Sequence, residues 1–222
     1  MVPRHSQPGN GACLLVALAL AAPAMAGPVT TRSPSLPRER PVTFEVNRGQ
    51  ANAQVKFLAR GPGFTAFLTS TEAVLAVGPE RSVVRLKPVG ANPAARIVGE
   101  GEVPGIVRYV LTSAATPPVS APTYAAVRYV DVYPGIDLVY HGRAHRLEYD
   151  FVVAPGADPK VITLAFDGPD PHEVDARGDV VLLTAGGKLR LKKPLVYHDV
   201  VVQPKPIAGS YLFNSKGDAG LQ

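Results

Sequence analysis

The chain has 222 residues, a formal net charge of +5 and one cysteine, and these facts exclude several classes of protein. Only +2 of the charge lies beyond residue 41, where no run of basic residues forms the clustered basic face that nucleic-acid binding needs. The single cysteine, Cys13, lies in a segment that we expect to be removed, which excludes disulfides, a cysteine nucleophile and a cysteine-ligated zinc.

The N-terminal segment predicts a secretory signal peptide. A short basic start precedes an apolar run from Ala12 to Ala22, and Ala24-Met25-Ala26 is the small-x-small pattern that signal peptidase accepts. The run is too short to span a bilayer as a helix, and Cys13 lies at its start rather than at its end, which disfavours a lipid anchor. We expect Met1–Ala26 to be cleaved; a buried core helix is the alternative.

The segment Gly27–Pro41 reads GPVTTRSPSLPRERP. It is too rich in proline and polar residues to pack against a core. The sequence therefore predicts a spacer that is disordered or extended.

From Val42 onward, short runs rich in Val, Ile, Phe, Tyr and Thr recur between clusters of Gly, Pro, Asn and Asp. None of these runs keeps a helical period over three turns, and 23 prolines and 21 glycines leave no room for a long helix. The pattern predicts an all-β, antiparallel, sandwich-like domain, large enough to bury a core without disulfides. A Pro-rich joint at 112–123 divides it into an N-terminal β-rich half, 42–111, and a C-terminal β-rich half, 124–222.

The stretch 133–153, YPGIDLVYHGRAHRLEYDFVV, predicts a β-hairpin with one dry face. Pro134-Gly135 suits the centre of a type II turn, a strand follows from Ile136 to about His141, and a polar tip at 142–144 reverses the chain. On the return strand, the residues predicted to face the core are Leu147, Tyr149, Phe151 and Val153, and those on the opposite face are Glu148 and Asp150.

Glu148 and Asp150 allow an enzymatic alternative. Their i, i+2 spacing on a strand projects both carboxylates from one face, with Cα atoms about 6 to 7 Å apart, and paired carboxylates serve glycoside hydrolysis. The stretch is similar to the Glu-x-Asp-x-x-Glu strand of laminarinase-like sandwiches, but Val153 stands where that pattern has its second glutamate. The favoured interpretation is two solvated carboxylates that pair with a cross-strand Arg or Lys.

A metal site formed by His141, His145 and Glu148 is a second alternative. The spacing of four suits a helix face, whereas here the two histidines flank a hairpin tip, and the glutamate that follows the first histidine in zinc proteases is missing. The pattern favours solvated loop histidines.

The loop DGPDPHEVDARGD, residues 167–179, collects five acidic residues. It could hold calcium, but it lacks the alternating acidic ladder of a dedicated site. Within it, Arg177-Gly178-Asp179 matches the integrin-binding tripeptide, which is short enough to arise by chance and fits ordinary turn chemistry. The sequence therefore assigns no catalytic, cofactor-binding or metal-ligating residue and no cofactor.

Three blocks carry a resemblance to a known family: APTYAAVRYVDVYPGIDLVYHG, RLEYDFVVAPGADPKVITLAFDG and GDVVLLTAGGKLRLKKPLVYHDV. In order and spacing, they resemble the uncharacterised β-rich domain that precedes SBBP-type β-propeller repeats in large secreted bacterial proteins. The upstream FEVNRGQ is similar to the opening Phe-x-x-Asn-x-Gly-Gln of that domain. The resemblance implies a secreted or surface-displayed module, structural or adhesive, and supplies no catalytic residue.

The chain departs from that pattern in two places. It has no tryptophan where family members commonly carry one, and it stops at Gln222, as a fragment of a longer protein or a stand-alone remnant would. A missing final strand would leave an exposed sheet edge that invites pairing with another chain.

Together, these observations predict a non-enzymatic, exported module of the cell envelope or the extracellular space. Its partner is an unknown protein or glycan, and we expect no nucleic-acid binding and no transmembrane segment after cleavage. The alternative is a carbohydrate-active enzyme or lectin-like binder centred on Glu148 and Asp150.

Overall fold

The computed structural model describes residues 41–109, 119–168, 172–185 and 187–192, and the backbone of strands at 14–21, 195–198, 205–208, 211–213 and 219–221. In this part of the chain the strands are β1 (Leu14–Ala21), β2 (Phe44–Val46), β3 (Phe57–Gly61), β4 (Phe64–Leu68), β5 (Ala73–Val77), β6 (Ser82–Pro88), β7 (Arg96–Tyr109), β8 (Val119–Tyr133), β9 (Ile136–Arg143), β10 (Arg146–Val153), β11 (Thr163–Asp167), β12 (His172–Val174), β13 (Val180–Thr184), β14 (Gly187–Leu191), β15 (Leu195–His198), β16 (Lys205–Ala208), β17 (Tyr211–Phe213) and β18 (Ala219–Leu221).

The predicted all-β fold is confirmed. The helical content of the described residues is one 3-10 turn at Pro159–Val161, and every pairing between strands is antiparallel. No helix in this part of the chain is long and apolar enough to cross a membrane.

Two meanders build the curled sheet that holds the core. Strands β2 to β6 pair in sequence order, and β11 extends this meander by pairing with β6. Strands β7 to β10 form the second meander. The two are joined where β2 pairs with β8, with Phe44 opposite Tyr124.

Buried tyrosines connect the facing parts of the curled sheet. The hydroxyl of Tyr129 donates to the carbonyl oxygen of Thr69 at 2.6 Å. The hydroxyl of Tyr133 lies 3.0 Å from the carbonyl oxygen of Val89 and 3.2 Å from that of Thr163. Residues of both predicted halves, among them Phe44, Leu75, Leu138 and Phe151, pack in one core.

Several predicted boundaries lie outside the described residues. Of the spacer, only Pro41 is described, and residues 110–118, which include the first part of the joint, are not described. The last part of the joint, from Val119 onward, lies in β8.

Strand β1 lies within the predicted signal peptide. It pairs with β10 over seven residues, from Leu14 opposite Val153 to Leu20 opposite Leu147. It also pairs with β15, and its last two residues pair with β14. In the full chain, β10 therefore has a hydrogen-bonded neighbour on each edge.

Candidate functional site

The predicted hairpin at 133–153 is present, with the predicted turn at its start. Tyr133 pairs with Ile136, so Pro134 and Gly135 form a two-residue connection, and Gly135 has a φ of +70°. Proline fixes the first turn position and glycine accepts the positive φ of the second, as a type II turn requires. The second turn lies at Ala144-His145 rather than at 142–144, with Arg143 opposite Arg146.

The dry face of the hairpin is confirmed. Leu147, Tyr149 and Phe151 are almost fully buried. The ring of Tyr149 packs 5.8 Å from that of Tyr140 and 6.2 Å from that of Phe151, measured between centroids. These distances are typical of favourable aromatic contacts.

On the opposite face, the structure brings His141, Glu148 and Asp150 together. Glu148 lies directly opposite His141, and Asp150 lies opposite Val139. Residues opposite one another share a face, so both carboxylates and the imidazole project from the same side of the hairpin. Nε2 of His141 lies 2.9 Å from Oδ2 of Asp150.

The expectation of two solvated carboxylates is wrong. The side chain of Glu148 is 8% exposed and that of Asp150 is 19% exposed. The partner of Asp150 is a cross-strand histidine instead of Arg or Lys, and Glu148 lies 4.0 Å from Arg146 on its own strand. The physical reason is that β10 is an interior strand, paired with β9 and β1, and local alternation cannot reveal this.

His141 was expected to be a solvated loop residue, but it lies in β9 with its side chain 27% exposed. The hydrogen bond with Asp150 raises the pKa of His141, burial opposes this, and the negative charges of Asp150 and Glu148 add to the rise. His145 is exposed in the turn, as predicted. The described residues contain no group of three or more His, Cys, Asp or Glu that could hold a metal ion.

A second charged cluster, which the sequence did not reveal, lies across the same meander. Arg128 on β8 contacts Glu100 on β7 at 2.6 Å and Asp137 on β9 at 3.0 Å. The other carboxylate oxygen of Asp137 accepts a hydrogen bond from the backbone of Asp131, which has a φ of +52° in the irregular part of the β8–β9 pairing. The cluster thus connects three adjacent strands and fixes a bulge.

A third cluster joins the two meanders. Arg60 Nη1 lies 2.7 Å from Oε1 of the buried Glu45, and the hydroxyl of Tyr109 donates to the other carboxylate oxygen. The guanidinium also lies 5.4 Å from the centroid of the Tyr109 ring. Partial burial and the hydrogen bond to Glu45 raise the pKa of the Tyr109 hydroxyl. These residues are too distant in sequence for any local pattern to associate them.

The Arg177-Gly178-Asp179 tripeptide forms a turn, as its chemistry predicted. Oδ1 of Asp175 accepts hydrogen bonds from the backbones of Arg177 and Asp179, and Gly178 has a φ of +83°. The Asp179 side chain is only 4% exposed and contacts Lys192 at 2.9 Å. An integrin would need this carboxylate at the surface, so the structure argues against that interpretation. Residues 169–171 of the candidate calcium loop lie outside the described part of the chain.

The FEVNRGQ motif closes the loop between β2 and β3. The side-chain amide of Asn47 donates to the carbonyl oxygens of Ala51, Asn52 and Val55, and its oxygen accepts from the backbones of Gly49 and Ala51. The amide of Gln50 donates to Val46 at 2.7 Å. Gly49 supplies a φ of +107°. The residues of the motif therefore shape a loop.

Four pockets in the described part of the chain lie apart from the charged hairpin face. An open pocket of about 670 Å³ borders the Asn47 loop, and its lining is Val46, Asn47, Gly49, Ala51, Ala53, Val55, Lys56, Phe57, Ser70, Ala95 and Ile97. Of four pockets on the described part of the chain, none is lined by His141, Glu148 or Asp150. The candidate catalytic side chains of the hairpin therefore lie outside these four pockets.

Comparison with known protein families gives a match over most of the chain. A family model described as a domain of unknown function, DUF7948, covers residues 44–221. No curated protein and no solved structure matches the chain significantly. The matched region begins at β2 and ends in β18, and β1 lies outside it.

Proposed function

Since the chain belongs to the DUF7948 family of domains of unknown function, we propose that it is a non-enzymatic, exported structural or interaction module of a bacterial surface or secreted protein. The signal-peptide pattern of Met1–Ala26 and the resemblance to SBBP-associated domains support this proposal. The module acts as a scaffold or binds its partner through loop tips and strand edges.

One observation carries the non-enzymatic part of the proposal: in these clusters the charged side chains bind one another across neighbouring strands, and of their residues only Arg60 lines one of the four pockets. His141 and Asp150 bridge β9 and β10, Arg128 bridges three strands, and the Glu45–Arg60 pair bridges β2 and β3. An active site needs such groups at a concave surface that a substrate can reach. Here their partners are other residues of the sheet.

One observation supports the alternative of a glycan binder or glycosidase. Oδ1 of Asp150 is buried and has no hydrogen-bond partner among the described residues. A buried acceptor without a partner is costly, and a ligand hydroxyl would satisfy it. The same atom is closed to solvent, so a ligand would need the hairpin face to open.

The decisive experiment combines export with an activity screen. The full reading frame is expressed in a bacterial host, the secreted or periplasmic protein is sequenced from its N-terminus, and the purified protein is screened for polysaccharide hydrolysis and on a glycan array. Glu148→Gln and Asp150→Asn test the candidate face. Glu102→Gln, at an exposed position on β7, is the matched control.

We expect a mature protein that begins at Gly27 and has no hydrolytic activity. Cleavage of a glycan by the wild type and the Glu102→Gln control, together with loss of cleavage in Glu148→Gln, would establish the enzyme instead. Glycan binding that is lost in both carboxylate variants would establish the lectin-like alternative. A protein that stays in the cytoplasm with Met1 intact would refute export.

A further inference from the structure

Strand β1 occupies a position in the sheet that would be empty after the signal peptide is cleaved. Its residues 14–21 lie inside Met1–Ala26, the segment that signal peptidase would remove under the proposed function. In the full chain they form seven register pairs with β10, four with β15 and two with β14. Removal of these residues would leave one edge of β10 without its hydrogen-bonding strand.

This edge is not an ordinary exposed edge. Strand β10 carries Leu147, Tyr149, Phe151 and Val153, all buried, and its other edge is paired with β9 along its full length. Backbone N–H and C=O groups without a hydrogen-bond partner destabilise the fold when they are buried. When they are exposed at a strand edge, they pair with strands of other chains. The gap between β10 and β15 is one strand wide, because β1 alone separates them.

We propose that, in the exported protein, this gap is a strand-acceptor site that binds an extended apolar segment of a partner protein, antiparallel to β10. The inference rests on the proposed function, since only cleavage after Ala26 empties the gap. Addition of a partner strand to an open sheet position is an established mode of recognition, with affinity from backbone hydrogen bonds and specificity from alternate side chains.

The register of β1 defines the chemistry of the partner strand. The residues opposite Leu147, Tyr149, Phe151 and Val153 are Leu20, Leu18, Val16 and Leu14. The residues opposite Glu148 and Asp150 are Ala19 and Ala17. A partner strand therefore alternates large aliphatic residues, against the aromatic face, with small residues, against the carboxylate face.

The contrast with β7 supports this position as the docking site. Strand β7 pairs with β8 along its length, but it carries Pro104, two glycines with positive φ at 101 and 105, and a register shift between Val103 and Ile106. Proline and bulges protect an edge against added strands. The eight residues of β10 contain neither proline nor glycine, and their pairing with β1 shows no register shift.

The test uses the exported protein, purified after its N-terminus has been shown to be Gly27. The probe is a fluorescent peptide that carries the β1 sequence LLVALALA between pairs of lysines, which keep it in solution. The control peptide has the same composition in the order LLLLVAAA, which cannot restore the alternation by sliding along β10. Fluorescence polarisation gives the affinity, and thermal melting gives the stabilisation.

We expect saturable binding of the alternating peptide, a rise in melting temperature on binding, and an affinity for the control peptide that is roughly tenfold lower or weaker still. The full chain made in the cytoplasm, which keeps β1, should not bind.

Equal binding of both peptides, or binding to the full chain, would overturn the inference. So would an exported dimer that ignores the peptide, because a second copy would then fill the gap. A secreted protein that retains Met1 would refute the inference alone, because β1 would still fill the gap, whereas a protein that stays in the cytoplasm would refute the proposed function. Cell fractionation and N-terminal sequencing distinguish these failures.

Discussion

The carbonyl oxygen of Val42 occupies the space that a Cβ atom on Gly142 would need. The backbone amide of Val42 also donates to the carbonyl oxygen of Ala144 at 3.2 Å, so the chain entering β2 is fixed against the hairpin tip. Because the obstacle is backbone, no side-chain rotation can relieve the clash. We expect Gly142→Ala to destabilise the fold by about 3 kcal/mol, the upper end for overpacking, in chemical denaturation.

Gly156→Ala is the matched control for this prediction. Gly156 has a φ of +84° but open space around its Cα, so alanine there meets only backbone strain, about 1 to 2 kcal/mol. A Gly142→Ala protein as stable as the wild type would show that the Val42 segment does not pack on the hairpin.

Tyr149 is 1% exposed and contacts two other aromatic rings. Tyr149→Ala should cost roughly 3 to 5 kcal/mol, as truncation of a buried aromatic typically does. Tyr149→Phe keeps the ring and should cost less. Equilibrium unfolding in urea measures both, and a harmless Tyr149→Ala would mean that the hairpin does not bury this face.

The sequence predicted the strands and the first turn of the hairpin correctly, because these features depend on residues that are close together in the chain. The alternation of β10 predicted its buried face, and Pro134-Gly135 predicted a turn, since each depends on neighbouring residues and on fixed backbone preferences. The second turn was displaced, because Ala144 adopts a φ of +52° that its residue type does not favour.

The polar clusters could not be predicted, because they form between distant residues. Arg60 and Tyr109 are 49 positions apart, and Arg128 and Glu100 are 28 apart. The burial of Glu148 depends on strands on both sides of β10, one of which lies in a segment whose sequence predicts a leader. The resemblance picked out Asn47 and Gly49 without revealing that they shape a loop.

Asp179 is buried beside Lys192 and Arg190, whereas Arg177 in the same tripeptide has a side chain that is 74% exposed. Asp179→Ala removes the carboxylate that Lys192 and Arg190 share, although Arg190 keeps its pair with Asp175. The loss should cost about 1.5 to 3 kcal/mol, as for a hydrogen bond to a charged group. Arg177→Ala should change stability by less than about 0.5 kcal/mol. The difference between the two melting curves is the measurement, and equal effects would contradict the buried role of Asp179.

Asn47 uses its side-chain amide as a donor to three backbone carbonyls. Asn47→Asp keeps the size but replaces the two N–H donors of the amide with a carboxylate, so all three carbonyl oxygens face a negative charge. The carbonyl of Asn52 keeps the backbone amide of Val55 as a donor. We expect a loss of about 2 to 3 kcal/mol, with faster amide exchange in the loop at 47–55. Asn92→Asp is the control, because the Asn92 side chain accepts a hydrogen bond from the backbone of Ala94, which a carboxylate can also do.

The pairing of His141 with Asp150 should make stability depend on pH. The hydrogen bond with Asp150 raises the pKa of His141 in the folded state, while the unfolded value stays near 6.5. The folded protein therefore binds this proton more tightly than the unfolded chain does. The contribution of the His141–Asp150 pair to the free energy of unfolding is complete below about pH 6.5 and is lost as the pH rises through the pKa of His141 in the folded state.

His141→Gln removes the titrating group and isolates its effect from those of other residues. The difference in unfolding free energy between wild type and His141→Gln should be larger at pH 5.5 than at pH 9, by roughly 0.5 to 1 kcal/mol, as for a partly exposed ion pair. His145→Gln, at an exposed position in the adjoining turn, is the matched control. If the His141→Gln difference is the same at both pH values or grows on the alkaline side, His141 does not carry a proton shared with Asp150, and the cross-strand contact stabilises the hairpin only as a neutral hydrogen bond.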